Sequence, residues 1–335
     1  MKLTILNDVH LGASRSAGTT PATQQQLKQH LQTSFEALLP ESDLMILGDL
    51  MDKGTITAAD LLPVFTSLNT WLAKGYQLWL VAGNHDLCRT STDLSSFDLL
   101  CSLLSRLHPD TVTVVKGGGV MTDYGYIVSH VANQDLFDLE MAKVPDCDYL
   151  FVHVNIDNHF AAQSDQSLNL SKEQIVACKA KQIICAHEHD RRTYGKVTIP
   201  GNQIASSVSD WLNPSDKFYS VIEDGVLTLV KCADRATEFT EMGWQALSIT
   251  AHKFVRVTGS ATTEQASTAL NAINKLRKEH PAFVITNAVT VLSEDGTAAM
   301  FEENLEAVQS FSVWEALKEI LSKEEAEVLE KLNND

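Results

Sequence analysis

One repeated pairing constrains this chain more than any other feature. A short apolar run that reads as a strand is followed at once by acidic, amide or imidazole side chains. Leu3–Leu6 runs into Asp8-Val9-His10, Leu44–Leu47 into Gly48-Asp49-Leu50-Met51-Asp52, and Gln77–Val81 into Gly83-Asn84-His85-Asp86. Tyr149–Val154 carries His153, and Gln182–Cys185 leads into Ala186-His187-Glu188-His189. Further strands are predicted at Thr111–Val115, Tyr126–Val128 and Val197–Ile199, and at Phe218–Glu223 and Val226–Lys231 around a hairpin-forming Asp224-Gly225. Apolar residues at helical spacing predict helices over Gln24–Leu39, Ala58–Lys74 and Ser95–Leu107. Strands alternating with helices imply an α/β layer architecture, and the late hairpin points to a mixed sheet doubled into a sandwich.

In an open α/β sheet, ligand-binding groups gather at the carboxyl ends of strands. Asp8, His10, Asp49, Asn84, His153, His187 and His189 all fall there, and seven nitrogen and oxygen donors suit two divalent metals. Imidazole with carboxylate and amide oxygen fits Mn²⁺, Fe²⁺ or Zn²⁺, and Mg²⁺ is also compatible. On an extended segment residues i and i+2 point to one side, so Asp8 and His10 can grip one ion together, and the same spacing relates His187 and His189. Asp49 stands alone at its strand end, where its two oxygens can bridge. Gly48 and Gly83 let the backbone turn sharply. Any one of these motifs alone is weak; the ordered set is not. The six cysteines, at 88, 101, 147, 178, 185 and 232, form no C-x-x-C pair, which argues against a zinc knuckle and a disulfide scaffold.

The set resembles the calcineurin-like metallophosphoesterases, whose pattern is D-x-H, G-D-x-x-D, G-N-H-[DE], H and G-H-x-H. That resemblance implies a two-sheet αββα sandwich with a dinuclear centre. Asp8, His10, Asp49 and His189 would hold one metal, and Asp49, Asn84, His153 and His187 the other. His85 would protonate the leaving oxygen, oriented by the carboxylate of Asp52 or Asp86. Ala186 departs from the family's usual glycine.

The composition changes near residue 245. Residues 1–245 form the expected phosphoesterase domain. Phe254–Val257, Thr262–Lys278 and Ala282–Leu292 predict a small βαβ capping domain within 246–295, and residues 296–335 an acidic tail of two short helices, the second opening at Ser322 with Glu325 three residues on. This order, with His10-Leu11-Gly12 and Thr198-Ile199-Pro200-Gly201-Asn202, is similar to SbcD-type DNA exonuclease subunits, including phage versions. It implies DNA as substrate and a coiled-coil SbcC-like ATPase as partner, with Mn²⁺ as the favoured metal and a homodimer as a possible assembly. Asn202 stands where that branch has serine. Arg191, Arg192, Lys253 and Arg256 are candidate DNA contacts, and Lys275, Arg277 and Lys278 lie on the cap's helix.

Charge limits that reading. The chain carries 26 Lys and Arg against 43 Asp and Glu, a net −17. That balance argues against a general nucleic-acid coat protein, which depends on phosphate neutralisation, while leaving room for a local basic groove. A small-molecule phosphatase or cyclic-nucleotide phosphodiesterase with the same centre is therefore the competing function, and a non-catalytic scaffold is disfavoured by the complete ligand set. The tail's stripe of Phe311, Val313, Trp314, Leu317, Ile320 and Leu321 is expected to dock on the chain's own body or on the ATPase. No apolar run approaches the ~20 residues of a membrane span, and the polar N-terminus predicts a cytoplasmic protein, or one of the host cytoplasm if phage-encoded. The small, polar segment 13–26 reads as a surface loop bordering the substrate groove.

Overall fold

The computed structural model describes residues 2–14, 17, 21–88, 93–158, 167–206, 210, 216–232, 239–248, 254–281, 283–292 and 298–300. It resolves into two compact units, Met1–Phe239 and a second that begins at Thr240.

The first unit opens with β1 (Lys2–Leu6), α1 (Pro21–Leu38), β2 (Asp43–Leu47), α2 (Ala58–Leu72), β3 (Leu78–Val81), α3 (Ser96–Leu107) and β4 (Val112–Val115). It continues through β5 (Gly119–Thr122), β6 (Gly125–Val128), α4 (Gln134–Ala142), β7 (Tyr149–His153), β8 (Asn155–Ile156), β9 (Asn169–Leu170) and α5 (Lys172–Ala177). It closes with β10 (Gln182–Ala186), β11 (Arg192–Tyr194), β12 (Val197–Ile199), β13 (Phe218–Glu223) and β14 (Val226–Lys231).

These strands make two six-stranded sheets, in the orders β14-β13-β1-β2-β3-β4 and β11-β12-β10-β7-β6-β5. Strands β1 to β4 run parallel, as do β6, β7, β10 and β12, while β13–β14 and β5–β6 are antiparallel hairpins. The sheets face each other across one apolar layer. Leu3, Ile5, Met45, Leu47, Trp79 and Val81 from the first sheet pack with Ile127, Tyr149, Phe151 and Ile184 from the second. On its other face the second sheet packs Leu150, Val152, Ile183 and Cys185 with Phe137 and Met141 of α4 and Ile175 of α5. β2 and β3 are buried on both faces, which is why they read as unbroken apolar runs rather than as alternations. The mixed, two-sheet αββα architecture is the one the sequence implies.

The hairpin signal acts as read. Asp224 (φ 51°) and Gly225 (φ 79°) both take the left-handed conformation of a type I′ hairpin turn between β13 and β14. Ser95 caps α3 and Asp98 reciprocates, a complete capping box. Helix α1 begins at Pro21, three residues before the expected Gln24, so residues 21–26 of the expected 13–26 loop are helical; proline suits a first turn because its missing N–H is unneeded there. All six cysteines are free.

The second unit is a four-stranded sheet, β15 (Phe239–Gly243), β16 (Phe254–Thr262), β17 (Val284–Leu292) and β18 (Ala298–Met300), in that order. Helix α6 (Thr263–Glu279) links the parallel pair β16–β17, and its Ala269, Ile273 and Leu276 pack on Val255, Val257, Ile285 and Val289. β16 runs five residues past the expected Val257, because small inward residues such as Ala261 continue the strand without an apolar signal. The two predicted tail helices, the Ser322 cap and the apolar stripe from Phe311 lie outside the described residues. Among the described residues no helix is long and apolar enough to cross a membrane.

Candidate metal centre

β1, β2, β3, β7 and β10 all deliver their carboxyl ends to one edge of the sandwich. Two groups of side chains meet there: Asp8 with His10 and His189, and Asp49 with His153 and His187. Within each group one donor atom from every residue lies within 4.8 Å of the others. The Asn84 carbonyl oxygen joins the second group, 3.1 Å from His153 Nε2, which is also 3.1 Å from Asp49 Oδ2. Asp49 Oδ2 stands 4.0 Å from His10 Nε2 as well, so this carboxylate faces both groups.

Each carboxylate is divided between two tasks. Asp8 Oδ2 accepts from the His187 backbone N–H (3.0 Å) and from the Asn7 amide (2.6 Å). Asp49 Oδ1 accepts from the His85 backbone N–H (2.9 Å). The other oxygen of each points among imidazoles. Asp8 Oδ1 is fully buried with no hydrogen-bond partner, a costly condition for a carboxylate oxygen. His153 Nδ1–H donates to the Leu47 carbonyl (3.2 Å), which leaves Nε2 as the nitrogen that faces two oxygens. His10 Nε2 and His189 Nε2 approach to 3.2 Å. Convergent imidazole nitrogens and carboxylate oxygens of this kind are the donor set of a divalent cation. The side chains present fit two such ions, with no cysteine among them.

The local backbone is bent to achieve this. Asp8 (φ 50°), His10 (φ 51°), Asp49 (φ 51°) and His187 (φ 91°) all occupy the left-handed region. Each such residue costs roughly 1–2 kcal/mol, and strain of this kind concentrates at functional sites. The expectation of an extended D-x-H is corrected accordingly: Asp8 and His10 share a side because both residues turn. At the H-x-H motif only His187 turns in this way, and His187 and His189 go to different groups rather than gripping one ion together.

The two glycines serve different needs. Gly48 (φ 80°) turns as expected, and a Cβ there would also strike the His153 ring. Gly83 does not take the left-handed conformation; it is small because a Cβ would overlap the Asp49 carboxylate. Ala186, at the family's glycine position, is fully buried at the end of β10.

His85 packs edge-on against the His10 ring, with centroids 4.9 Å apart, and its Nδ1 lies 2.6 Å from the Asp52 main-chain carbonyl. That carbonyl, not a carboxylate of Asp52 or Asp86, accepts from His85 Nδ1–H. Asp86 is elsewhere engaged: its buried oxygens accept from Met51 N–H and Gly83 N–H, tying the second and third motifs together.

Arg192 was expected to contact substrate, but its guanidinium is committed to Glu188 (2.6 and 2.7 Å) and the Ile156 carbonyl. This clamp straps the His187–His189 turn to the strand after His153. Arg191 stacks over Phe218, 4.2 Å from the ring centroid. Arg256 is half-buried on β16 of the second unit, with its Nε enclosed and unpartnered. Lys253 lies outside the described residues. On α6, Arg277 donates to the Ile285 carbonyl and Lys275 faces Glu279.

Three residues not anticipated from the sequence support the centre. Asp210 accepts from His189 Nδ1–H (2.9 Å). Asn7 and Gln203 brace the first motif, Gln203 accepting from the Asn7 backbone N–H and donating to its side chain.

Protonation follows the same geometry. Burial alone would lower His153, but the adjacent Asp49 carboxylate lifts its pKa to about 9. Burial is likewise overcome at His189, where Asp210 and Asp8 lift the pKa to about 9. His10, for which burial prevails, is pushed down to about 4. Burial opposes ionisation of Asp49, yet His153, His85 and His10 hold its carboxyl well below the usual range. Metal-free protein thus holds protons on His153 and His189 at neutral pH that a cation must displace. Binding of Mn²⁺ near pH 7.5 should release about two protons, and affinity should weaken as pH falls. Calorimetry in buffers of different ionisation enthalpy measures this number, and zero release would contradict the assignment.

A family model for calcineurin-like phosphoesterases matches residues 1–191. No curated protein matches the chain. Among solved structures it is similar to an archaeal phosphodiesterase, at 12% identity over 69% of this chain and 100% of that one, with a TM-score of 0.34. It is similar also to the phosphopantetheinyl hydrolase of Mycobacterium tuberculosis (13% identity, 70% and 96% coverage, TM-score 0.39). A Thermus thermophilus protein matches at 12% identity, with 69% and 98% coverage and a TM-score of 0.40. With more than half its length matched by the family model, and with the motif residues gathered at one sandwich edge, the chain belongs to the calcineurin-like phosphoesterase family.

Proposed function

We propose that this phosphoesterase hydrolyses phosphodiester bonds in DNA, as the nuclease subunit of an SbcCD-like recombination or repair complex. In this reading Asp8, His10, Asp49 and His189 hold one ion, and Asp49, Asn84, His153 and His187 the other, with Mn²⁺ the favoured metal. When bound, such ions supply positive charge for the phosphoryl oxygens and acidify the attacking water. The chain's own contribution is a proton. His85 keeps Nδ1 on the Asp52 carbonyl, so its Nε2 is the nitrogen left to serve a leaving oxygen. The observation that most supports a diester with a poor leaving group is this separately anchored imidazole packed against a ligand imidazole.

DNA as the substrate is supported by the motif order and by a second unit with the expected parallel β16–α6–β17 core. An SbcC-like ATPase would supply the positive field that a chain of net −17 lacks. A second reading, hydrolysis of a small phosphate ester or cyclic nucleotide, is favoured by one observation. Arg192, the cation beside the H-x-H motif, is already paired with Glu188.

Incubation of the Mn²⁺-loaded protein with labelled double-stranded DNA, single-stranded DNA, a cyclic dinucleotide and p-nitrophenyl phosphate separates the readings. Preferential degradation of DNA is expected. Turnover confined to the small esters would replace the nuclease reading with the second one.

A further inference from the structure

The two groups of the centre are not built alike. Behind His153 stands a neutral acceptor, the Leu47 carbonyl. Behind His189 stands a carboxylate, Asp210, almost fully buried and 2.9 Å from Nδ1. Asp210 comes from the segment after Gly201, and it is itself held in place. Its second oxygen, Oδ2, accepts from the Ser206 backbone N–H (3.1 Å), the Ser206 hydroxyl (3.3 Å) and the Asn202 amide (3.1 Å).

The Asn202 amide has no freedom to turn around. Its oxygen accepts from Lys217 Nζ at 2.5 Å, so its NH₂ must face Asp210 and the Ile204 carbonyl. Among the described residues, these three donors meet Oδ2 while Oδ1 accepts from His189 Nδ1–H. A carboxylate placed there accepts from Nδ1–H and thereby makes Nε2 the nitrogen that yields its proton to a cation, on the side where Asp8 Oδ1 and His10 Nε2 lie. Ligand imidazoles are commonly fixed in this way by an outer carboxylate, which sets the tautomer and raises the donor strength of the other nitrogen.

We propose that Asp210, oriented by Asn202 and Ser206, is the positioning residue of the Asp8–His10–His189 group, fixing His189 in the metal-binding tautomer and making that group the one whose cation affinity depends on the segment after Gly201. Asn202 stands where the resembling branch has serine. Here it is the hinge of a chain that runs Lys217, Asn202, Asp210, His189. The inference rests on the reading that the clusters hold divalent cations, and not on the choice of substrate.

Asp210→Asn is nearly isosteric, which makes it a sharp test. The Ser206 backbone N–H and the Asn202 NH₂ can only donate, and the Ser206 hydroxyl can donate as well, so the new amide turns its oxygen to them and its NH₂ to His189. That NH₂ forces Nδ1 to become the acceptor and puts the proton on Nε2, the wrong tautomer for binding metal. An analogous aspartate-to-asparagine change disables the histidine of a serine protease through its tautomer.

The experiment is calorimetric titration of the full-length protein with Mn²⁺ alone, for wild type and Asp210→Asn, with thermal unfolding of both metal-free proteins as a control. The expected result is two binding events in the wild type. In the variant one of them should be weakened by roughly 10–100-fold, the scale for loss of an outer-shell partner, with the other unchanged. Unchanged affinities in the variant would overturn the role of Asp210 while leaving the metal reading intact. No Mn²⁺ binding by the wild type would overturn both.

If the variant does not fold, the wild type carries the test by itself. With diamagnetic Zn²⁺ bound, ¹⁵N-edited NMR should detect a proton on His189 Nδ1. Its absence there would overturn the assignment.

Discussion

Asp49→Ala should abolish hydrolysis and weaken binding of both ions together, by more than the roughly 10–100-fold that loss of an outer-shell partner costs. Among the described residues Asp49 is the carboxylate whose oxygen faces both groups, 3.1 Å from His153 Nε2 and 4.0 Å from His10 Nε2. Its other oxygen accepts the His85 backbone N–H, so the alanine variant also releases the turn carrying Asn84 and His85. Asp49→Asn retains an oxygen for that N–H and separates the two effects. It should keep the thermal midpoint closer to the wild type while still losing metal. Equilibrium dialysis with Mn²⁺ checks the outcome, and two ions bound to Asp49→Ala at wild-type affinity would remove its bridging role.

The second large effect belongs to His85. Its ring is placed by contacts separate from the two groups, Nδ1 on the Asp52 carbonyl and an edge against His10. His85→Ala should therefore retain both ions and bind substrate, while turnover of a diester with a poor leaving group falls by roughly 10²–10⁴, the usual scale for general acid catalysis. A diester with a good leaving group needs no proton and should suffer much less. Equal losses on both substrates would point to a structural role, and no loss on either would remove His85 from the mechanism.

The sequence made the centre legible for a physical reason. Strands buried on both faces must be apolar throughout, so polar residues directly after Leu6, Leu47, Val81 and Ala186 stand out against them. What supports those residues left no such mark. Asp210 follows His189 by twenty-one positions with no apolar run before it, and only the fold brings it to the imidazole. A main-chain carbonyl, such as that of Asp52, has no sequence signature at all, so a carboxylate was expected in its place. Glu188 and Arg192 have the spacing of a helical ion pair, but they close a turn into a β-strand. Helix α4 also escaped notice, because Leu136 and Leu139 point to solvent and blur the periodicity of Phe137 and Met141. The division between units shows the same limit. The composition shifts near residue 245, yet β15 already belongs to the four-stranded sheet of the second unit, because pairing with β16 rather than composition decides its place.

Paired divalent ions, held by side chains at this sandwich edge, should be required for phosphoester hydrolysis. The most direct measurement is turnover of bis(p-nitrophenyl) phosphate by the full-length protein, first after exhaustive dialysis against a chelator and then as Mn²⁺ is restored. The account predicts no turnover after chelation and recovery that reaches its plateau as the second ion binds. Undiminished turnover by the chelated protein would contradict it.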